Sequence, residues 1–102
     1  MKLNPFLKEI KSKVLQEDED AFLILYGSRA RGDNQVNSDW DILILTSKKR
    51  TIELENKLRD SIYSVELDHL QPASIIILNK EEWSGMEITP FHRNVTTEGK
   101  TI

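Results

Sequence analysis

Apolar residues along the chain follow two patterns, and together these patterns predict alternating helices and strands. Apolar side chains at four-residue spacing predict two amphipathic helices, while unbroken apolar runs predict strands that are central in a sheet or covered on both sides. Asn4-Pro5 and Thr89-Pro90 each open a helix, because proline suits the first helical position, and Gly99 closes the last helix. The predicted elements are helix 5–16, strand 21–26, strand 40–45, helix 51–65, strand 73–78, helix 80–86 and a last helix from residue 90.

This order of elements predicts the class α/β (α+β), with a small mixed sheet and helices packed on one face. A chain of 102 residues is long enough for one hydrophobic core and too short for a second substrate-binding module. We therefore treat residues 1–102 as a single domain. Any molecule on which this domain acts must be small or must reach the site from outside the domain.

The composition argues against several classes of protein. The chain has 38% hydrophobic and 30% charged residues and a formal charge of −3, which is typical of globular proteins and disfavours nucleic acid as a partner. Cysteine is absent, and His69 and His92 lack the spacing of zinc ligands. No apolar run is long enough to cross a membrane, and the polar N-terminus does not resemble a signal peptide, so we expect a cytoplasmic location.

The segment between the first two predicted strands carries the clearest chemistry. It starts at Gly27 and ends with Ser-Asp-Trp-Asp, in which Asp39 and Asp41 stand two residues apart at the start of a strand. Side chains alternate along a strand, so both carboxylates leave the same face, where they can share Mg²⁺, and Trp40 points into the core. Two close carboxylates repel each other, and a site that keeps both ionised needs a cation between them.

Residues 27–31 complement this pair with groups that suit a phosphate. Gly27 allows a close backbone approach or an unusual dihedral angle, and Ser28 offers a hydroxyl and an N–H at the start of a short helical turn. Arg29 and Arg31 are suited to neutralising phosphate charge. Each feature alone is common in turns, and Ser38 alone is an ordinary loop residue, but their joint occurrence between two strands is specific.

The run GSRARGDNQVNSDWDILIL resembles the signature of the DNA polymerase β-like nucleotidyltransferase superfamily. That motif consists of Gly-Ser, a basic loop ending in glycine, and Ser-Asp-x-Asp on the next strand. The matching core spans residues 21–78, followed by a helical segment over 80–99. The small size resembles the minimal nucleotidyltransferases, which are often encoded beside HEPN-domain proteins in prokaryotic toxin–antitoxin pairs.

The resemblance implies the polymerase β-like fold and the Mg²⁺-dependent transfer of an NMP group from a nucleoside triphosphate to a hydroxyl. The expected donor is ATP, and the expected acceptor lies on a partner protein of the HEPN type. Matched position by position, the resemblance implies that Asp39 and Asp41 are catalytic residues that bind the metal. It also implies that the nucleotide is bound by Gly27, Ser28, Arg29, Arg31 and Ser38.

The chain departs from the family pattern at a third carboxylate, which the family usually carries on the next strand. Alignment places Ser74 there, and a serine is a poor base and a poor Mg²⁺ ligand. Glu66 is the leading substitute, because Val65-Glu66-Leu67-Asp68, if extended, would present both acids on one face. The competing interpretation is that Glu66 and Asp68 are solvated acids at a helix end.

Two functions therefore stay open. One is a nucleotidyltransferase that modifies a partner protein, which the intact Ser-Asp-x-Asp favours. The other is a weakly active or inactive nucleotide-binding antitoxin that acts by direct contact, which Ser74 favours. A structural domain with an accidental motif would require Gly27-Ser28 and the aspartates to lie apart in space. The sequence does not predict base preference or oligomeric state.

Overall fold

A mixed four-stranded sheet organises residues 3–102, the part of the chain that the computed structural model describes. The strand order is β3-β2-β1-β4; β2 and β3 are parallel, and the other neighbouring pairs are antiparallel. The elements are α1 (Pro5–Glu17), β1 (Phe22–Tyr26), α2 (Gly27–Arg31), β2 (Trp40–Thr46), α3 (Ile52–His69), β3 (Ala73–Asn79), α4 (Lys80–Ser84), α5 (Pro90–Glu98) and β4 (Lys100–Thr101). The predicted fold class is confirmed.

The larger core lies between the sheet and the helix pair α1 and α3. Its apolar residues on the two helices are those whose spacing predicted the helices, and they pack against alternate residues of the strands. The fully buried members include Phe6, Ile10, Val14, Leu58, Ile62, Val65, Ile42 and Ile44. The strand β2 is central and contributes to both faces of the sheet, as its unbroken apolar run predicted.

A smaller core covers part of the other face of the sheet. Val95 of α5 is buried against Leu43 and Leu45 of β2, with Phe91 and Trp83 packed at the border. This cover does not reach Ser74 on the same face, which is exposed. One end of this second face is therefore open, and the polar residues that begin β2 lie at that end.

The helix α3 extends beyond its predicted end. It continues to His69, whose Nε2 contacts Glu9 Oε2 of α1 at 2.6 Å, and Leu70 ends it with a φ of 53°. The interpretation of Val65-Glu66-Leu67-Asp68 as an extended segment is therefore wrong, and the competing interpretation, in which Glu66 and Asp68 lie at a helix end, agrees with the structure. The strand β4 was not predicted, since two residues carry no recognisable period. Among the helices of residues 3–102, none has the length and apolarity that a membrane span requires.

A buried carboxylate joins the end of α1 to the end of β2. Asp18 is 4% exposed and accepts hydrogen bonds from Thr46 Oγ1 at 2.7 Å, Ser47 Oγ at 2.7 Å and the Ser47 N–H at 2.8 Å. Burial alone would raise the pKa of Asp18, but these hydrogen bonds, with one from the Asp20 N–H, outweigh it and hold the pKa at about 2. The ionised form of Asp18 therefore stabilises the fold.

Replacing Asp18 by asparagine should lower the free energy of unfolding at pH 7 by about 2 kcal/mol, the typical contribution of hydrogen bonds to a charged group. Because the folded-state pKa lies below the ordinary 3.8, this contribution is present above pH 3.8 and is lost as the pH falls through about 2. Guanidinium denaturation at pH 7 and at pH 2.5 measures the difference in stability between wild type and Asp18→Asn, which should be smaller at pH 2.5. The control is Asp20→Asn, which keeps the Asp20 N–H; equal stability of the two variants at pH 7 would contradict the assignment.

Candidate functional site

The antiparallel pairing of β1 with β2 assembles the motif in space. The register places Tyr26, the last residue of β1, opposite Asp41 near the start of β2. The chain therefore leaves β1 at Gly27 beside the strand that carries the carboxylate, and the loop 32–39 returns it to Asp39. Gly27-Ser28 and the two aspartates, which the sequence separates by a loop, lie together in the structure.

The Asp41 carboxylate leaves no room for a side chain at position 27, so this position requires glycine. Its φ is +73°, a conformation that residues with a side chain rarely adopt. A Cβ placed on Gly27 would lie 2.3 Å from Asp41 Oδ2 and 3.1 Å from Asp41 Cγ. The close backbone approach expected from the sequence is thus an approach to the carboxylate itself.

The environment of Asp41 disfavours its negative charge. Burial raises the pKa of Asp41, the nearby Asp39 raises it further, Arg31 lowers it and Glu98 raises it again. Desolvation and like-charge repulsion therefore both act on a carboxylate at a surface site, which is the pattern of a functional residue. Trp40, between the two aspartates, points to the opposite face as predicted and packs against Phe6 with ring centroids 5.7 Å apart.

The two aspartates fit a magnesium ion whose remaining ligands come from a phosphate and from water. Within residues 3–102, no group of three or more His, Cys, Asp or Glu side chains is arranged to hold a metal. Mg²⁺ is commonly bound by one or two carboxylates together with substrate phosphates and water, so a pair is sufficient. A cation there would also relieve the repulsion that raises the pKa of Asp41.

Arg29 and Ser38 support the loop that carries Asp39. The Arg29 guanidinium donates to the Ser38 carbonyl from Nε at 3.2 Å and from Nη2 at 2.9 Å, and to the Val36 carbonyl at 3.1 Å. It also lies 4.3 Å from the centre of a Trp40 ring. Ser38 Oγ accepts from the Gln35 N–H at 2.8 Å. Both residues were expected to bind nucleotide; in the structure their contacts order the loop.

Glu98 is a site residue that the sequence did not indicate. Its Oε1 accepts from the Gly27 N–H at 3.1 Å, across 71 residues of chain, and its Oε2 accepts from Arg31 Nη1 at 2.9 Å. Arg31 also donates to Asp33 Oδ2 at 3.1 Å. One signal was available, because an acidic residue at the end of a helix opposes the helix dipole and implies a partner elsewhere.

Ser74 and Glu66 occupy different sides of the sheet. Ser74 is the register partner of Asp41 on β3 and shares its face, which is where the alignment placed it. Glu66 lies on α3, on the Trp40 side, and accepts from the Ala73 N–H at 2.7 Å. The structure does not bring Glu66 together with the aspartates, because residues 65–68 belong to a helix that packs on the opposite face of the sheet. With Arg59, which donates to the Ile75 carbonyl at 3.1 Å, it covers the free edge of β3.

A family model described as Polymerase beta, Nucleotidyltransferase matches residues 8–102. The chain therefore belongs to the polymerase β nucleotidyltransferase family.

Individual relatives are consistent with this assignment. The chain is 33% identical, over 102 residues, to a protein of Methanocaldococcus jannaschii named "Putative protein adenylyltransferase MJ0604", covering 98% of this chain and 93% of that one. Two solved structures share the fold with TM-scores of 0.59. One is a toxin–antitoxin with AMP-PNP, at 19% identity over 90% of this chain and 68% of that one. The other is a mutant toxin–antitoxin, MntA-HpeT, at 20% identity over 97% and 72%.

Replacing Asp41 by asparagine should raise the melting temperature at pH 7 by a few degrees in the absence of divalent cations. A raised pKa means that the ionised carboxylate destabilises the fold above that pKa, and the penalty disappears as the pH falls and Asp41 becomes protonated. Calorimetry at pH 7 and pH 3.5 should show the gain at the higher pH only. The exposed Asp60→Asn serves as control, and an equal gain there would refute the argument.

Replacing Glu66 by glutamine should leave any nucleotidyl transfer at the wild-type rate, because Glu66 belongs to α3 on the opposite face of the sheet from Asp41 and its carboxylate is bonded to the Ala73 N–H at the edge of β3. The Gln side chain retains an acceptor for the Ala73 N–H, so stability should change by less than about 1 kcal/mol. Initial rates of NMP incorporation measure the first effect. A loss of tenfold or more in a folded variant would restore Glu66 as the third catalytic acid.

Proposed function

We propose that this protein is a Mg²⁺-dependent nucleotidyltransferase that transfers an NMP group from a nucleoside triphosphate, with ATP as the expected donor, to a hydroxyl on a partner protein. The observation that carries the proposal is the contact between the Gly27 backbone and the Asp41 carboxylate, with Asp39 close enough to raise the pKa of Asp41. Ser28 is the next residue after Gly27. This arrangement places phosphate-binding groups and metal-binding oxygens in one site. Family membership supplies the general class of reaction.

The chemistry of each residue suggests its role in binding the metal, binding the phosphates or positioning the loop. Asp39 and Asp41 would hold Mg²⁺, which would polarise the α-phosphate and offset the charge of the leaving pyrophosphate. Gly27 and Ser28 offer backbone N–H groups, and Ser28 its hydroxyl, to phosphate oxygens. Arg31 is 46% exposed and borders the same groups, so it is suited to the outer phosphates. Arg29 acts indirectly, since its donors hold the loop that positions Asp39.

The acceptor hydroxyl comes from a second molecule and enters beside Ser74. The strand β3 is an edge strand, Ser74 is small and exposed, and the smaller core does not extend over it. On the other side of Asp41, the site is bounded by Tyr26 and α5. A Tyr, Ser or Thr side chain of a docked protein could therefore reach the site from the β3 side.

The names of related proteins support a protein acceptor, and the resemblance in the sequence implied that this acceptor is of the HEPN type. The M. jannaschii relative carries the name of a protein adenylyltransferase, and the two solved structures are toxin–antitoxin assemblies, one of them with AMP-PNP. We extend these properties to the present chain as part of the proposal. The localisation that fits this role is the cytoplasm.

One observation favours a second function, that of a nucleotide-binding antitoxin with little or no transferase activity. Ser74 lies beside Asp41 where the family usually has a carboxylate, and a serine hydroxyl cannot accept a proton from a nucleophile at neutral pH. Such a module would neutralise its partner by contact and would use the nucleotide only to stabilise the complex.

The test is incubation of the purified chain with α-labelled ATP, Mg²⁺ and the protein encoded beside it, followed by mass spectrometry for an added NMP. We expect an increment on the partner that is lost in the Asp39→Asn, Asp41→Asn double variant, because Mg²⁺-dependent binding of the triphosphate is lost with the carboxylates. Titration calorimetry should show at least about a hundredfold weaker Mg-ATP binding, comparable to loss of charged contacts. Circular dichroism confirms that the double variant is folded.

The possible results separate the two functions. An increment that survives in the double variant would rule out the aspartates as metal ligands. If no increment forms, but Mg-ATP strengthens association with the partner, the antitoxin function is supported. Undetectable Mg-ATP binding by the folded wild-type protein would overturn both functions.

A further inference from the structure

Glu98 occupies hydrogen-bond donors that a phosphate would need. Its two carboxylate oxygens accept from the Gly27 N–H at 3.1 Å and from Arg31 Nη1 at 2.9 Å. We infer that Glu98 is an internal competitor for the phosphate-binding groups, so that a nucleoside triphosphate must displace its carboxylate before it binds fully. This inference rests on the proposed function and adds a step to it.

The competition follows from the donors themselves. The N–H of Gly27 is at the start of α2, where a helix cannot provide its own carbonyl acceptor. Carboxylate and phosphate oxygens are both anionic acceptors, and a single N–H makes one good hydrogen bond at a time. In the free protein Glu98 fills that bond and pairs with Arg31, and a bound triphosphate offers a stronger acceptor to both.

Charge also favours the departure of Glu98 once a triphosphate is present. Asp39 and Asp41 lie close enough for Asp39 to disfavour the charge on Asp41, and Glu98 adds to the same effect. A triphosphate brings further negative charge to this place. Movement of the Glu98 carboxylate into solvent would remove a repulsive group and free Arg31 for the ligand.

The backbone of Glu98 is held in place, so the displacement is a rotation of the side chain. A Cβ on Gly99 would lie 2.3 Å from the Val95 carbonyl oxygen and 2.7 Å from Ile24 Cγ2, which fixes how closely the chain packs after α5. Next, β4 pairs with β1, and the Ile102 N–H donates to the Leu23 carbonyl at 3.0 Å. The Glu98 side chain is 22% exposed and has a path to solvent.

Calorimetric titration of Mg-ATP and of pyrophosphate into Glu98→Gln tests the inference. Glutamine keeps the shape of the side chain but loses the ion pair with Arg31, so both ligands should bind about three- to fivefold more tightly than to wild type. The matched control is Asp33→Asn, which removes the other carboxylate partner of Arg31 and leaves the Gly27 N–H untouched. That variant should change affinity by less than about twofold.

A second variant, Glu98→Ala, removes the acceptor for Gly27 completely and should bind at least as tightly as Glu98→Gln. Melting temperatures show which variants are folded. If the wild-type protein binds Mg-ATP and neither folded Glu98 variant binds it more tightly, the inference is overturned and the proposed function stays intact. An equal gain in Asp33→Asn would attribute the effect to general charge and also overturn it. Absence of binding in wild type and variants alike would refute the proposed function, and the inference with it.

Discussion

The contact between the Gly27 backbone and the Asp41 carboxylate is the constraint on which the site depends. The antiparallel register of β1 and β2 brings the two residues together, and no side chain fits between them. The loop 32–39 must then return Asp39 to the same place. Arg29 makes this possible by binding the carbonyls of Val36 and Ser38 while it stacks on Trp40. A few contacts at the end of two strands thus define the geometry of a whole motif.

Asp18 and Asp41 are acidic residues whose environments shift their pKa values in opposite directions. Asp18 is buried, but hydroxyl and amide donors surround it and hold its pKa at about 2. Asp41 is partly exposed, yet burial and Asp39 raise its pKa. The first carboxylate is satisfied by hydrogen bonds within the fold, whereas burial and a neighbouring like charge disfavour the ionised form of the second, as expected of the proposed ligand-binding residue. This contrast supports a cation-binding role more strongly than the presence of the aspartates alone.

The neighbours of Asp41 on the two adjacent strands give the site two different sides. On the β1 side, Tyr26 is half-buried and packs against Phe91 with ring centroids 5.5 Å apart. On the β3 side, Ser74 is exposed and adds space instead of a third negative charge. In a member of the polymerase β nucleotidyltransferase family, this asymmetry suits the proposed arrangement, with phosphate groups near α2 and a protein acceptor near β3.

Local patterns were sufficient to predict most of the secondary structure and the motif. Helix caps at Asn4 and Thr89, apolar spacing and apolar runs depend on residues close in the chain, and one loop joins Gly27 to Asp41. Such patterns placed Trp40 in the core correctly. They did not extend α3 to His69, because its last turn is polar and is held by contacts with α1.

Only the packing of distant elements decided which acidic residues lie beside the residues of the motif. Glu66 was a candidate from its place in the sequence, but α3 carries it to the far face, where it binds Ala73. Glu98 showed no motif, yet the packing of α5 brings it to Gly27 and Arg31. The physical reason is the same for both residues. A side chain forms hydrogen bonds and ion pairs only with groups that lie close to it. Tertiary packing, not the neighbouring sequence, decides which groups those are.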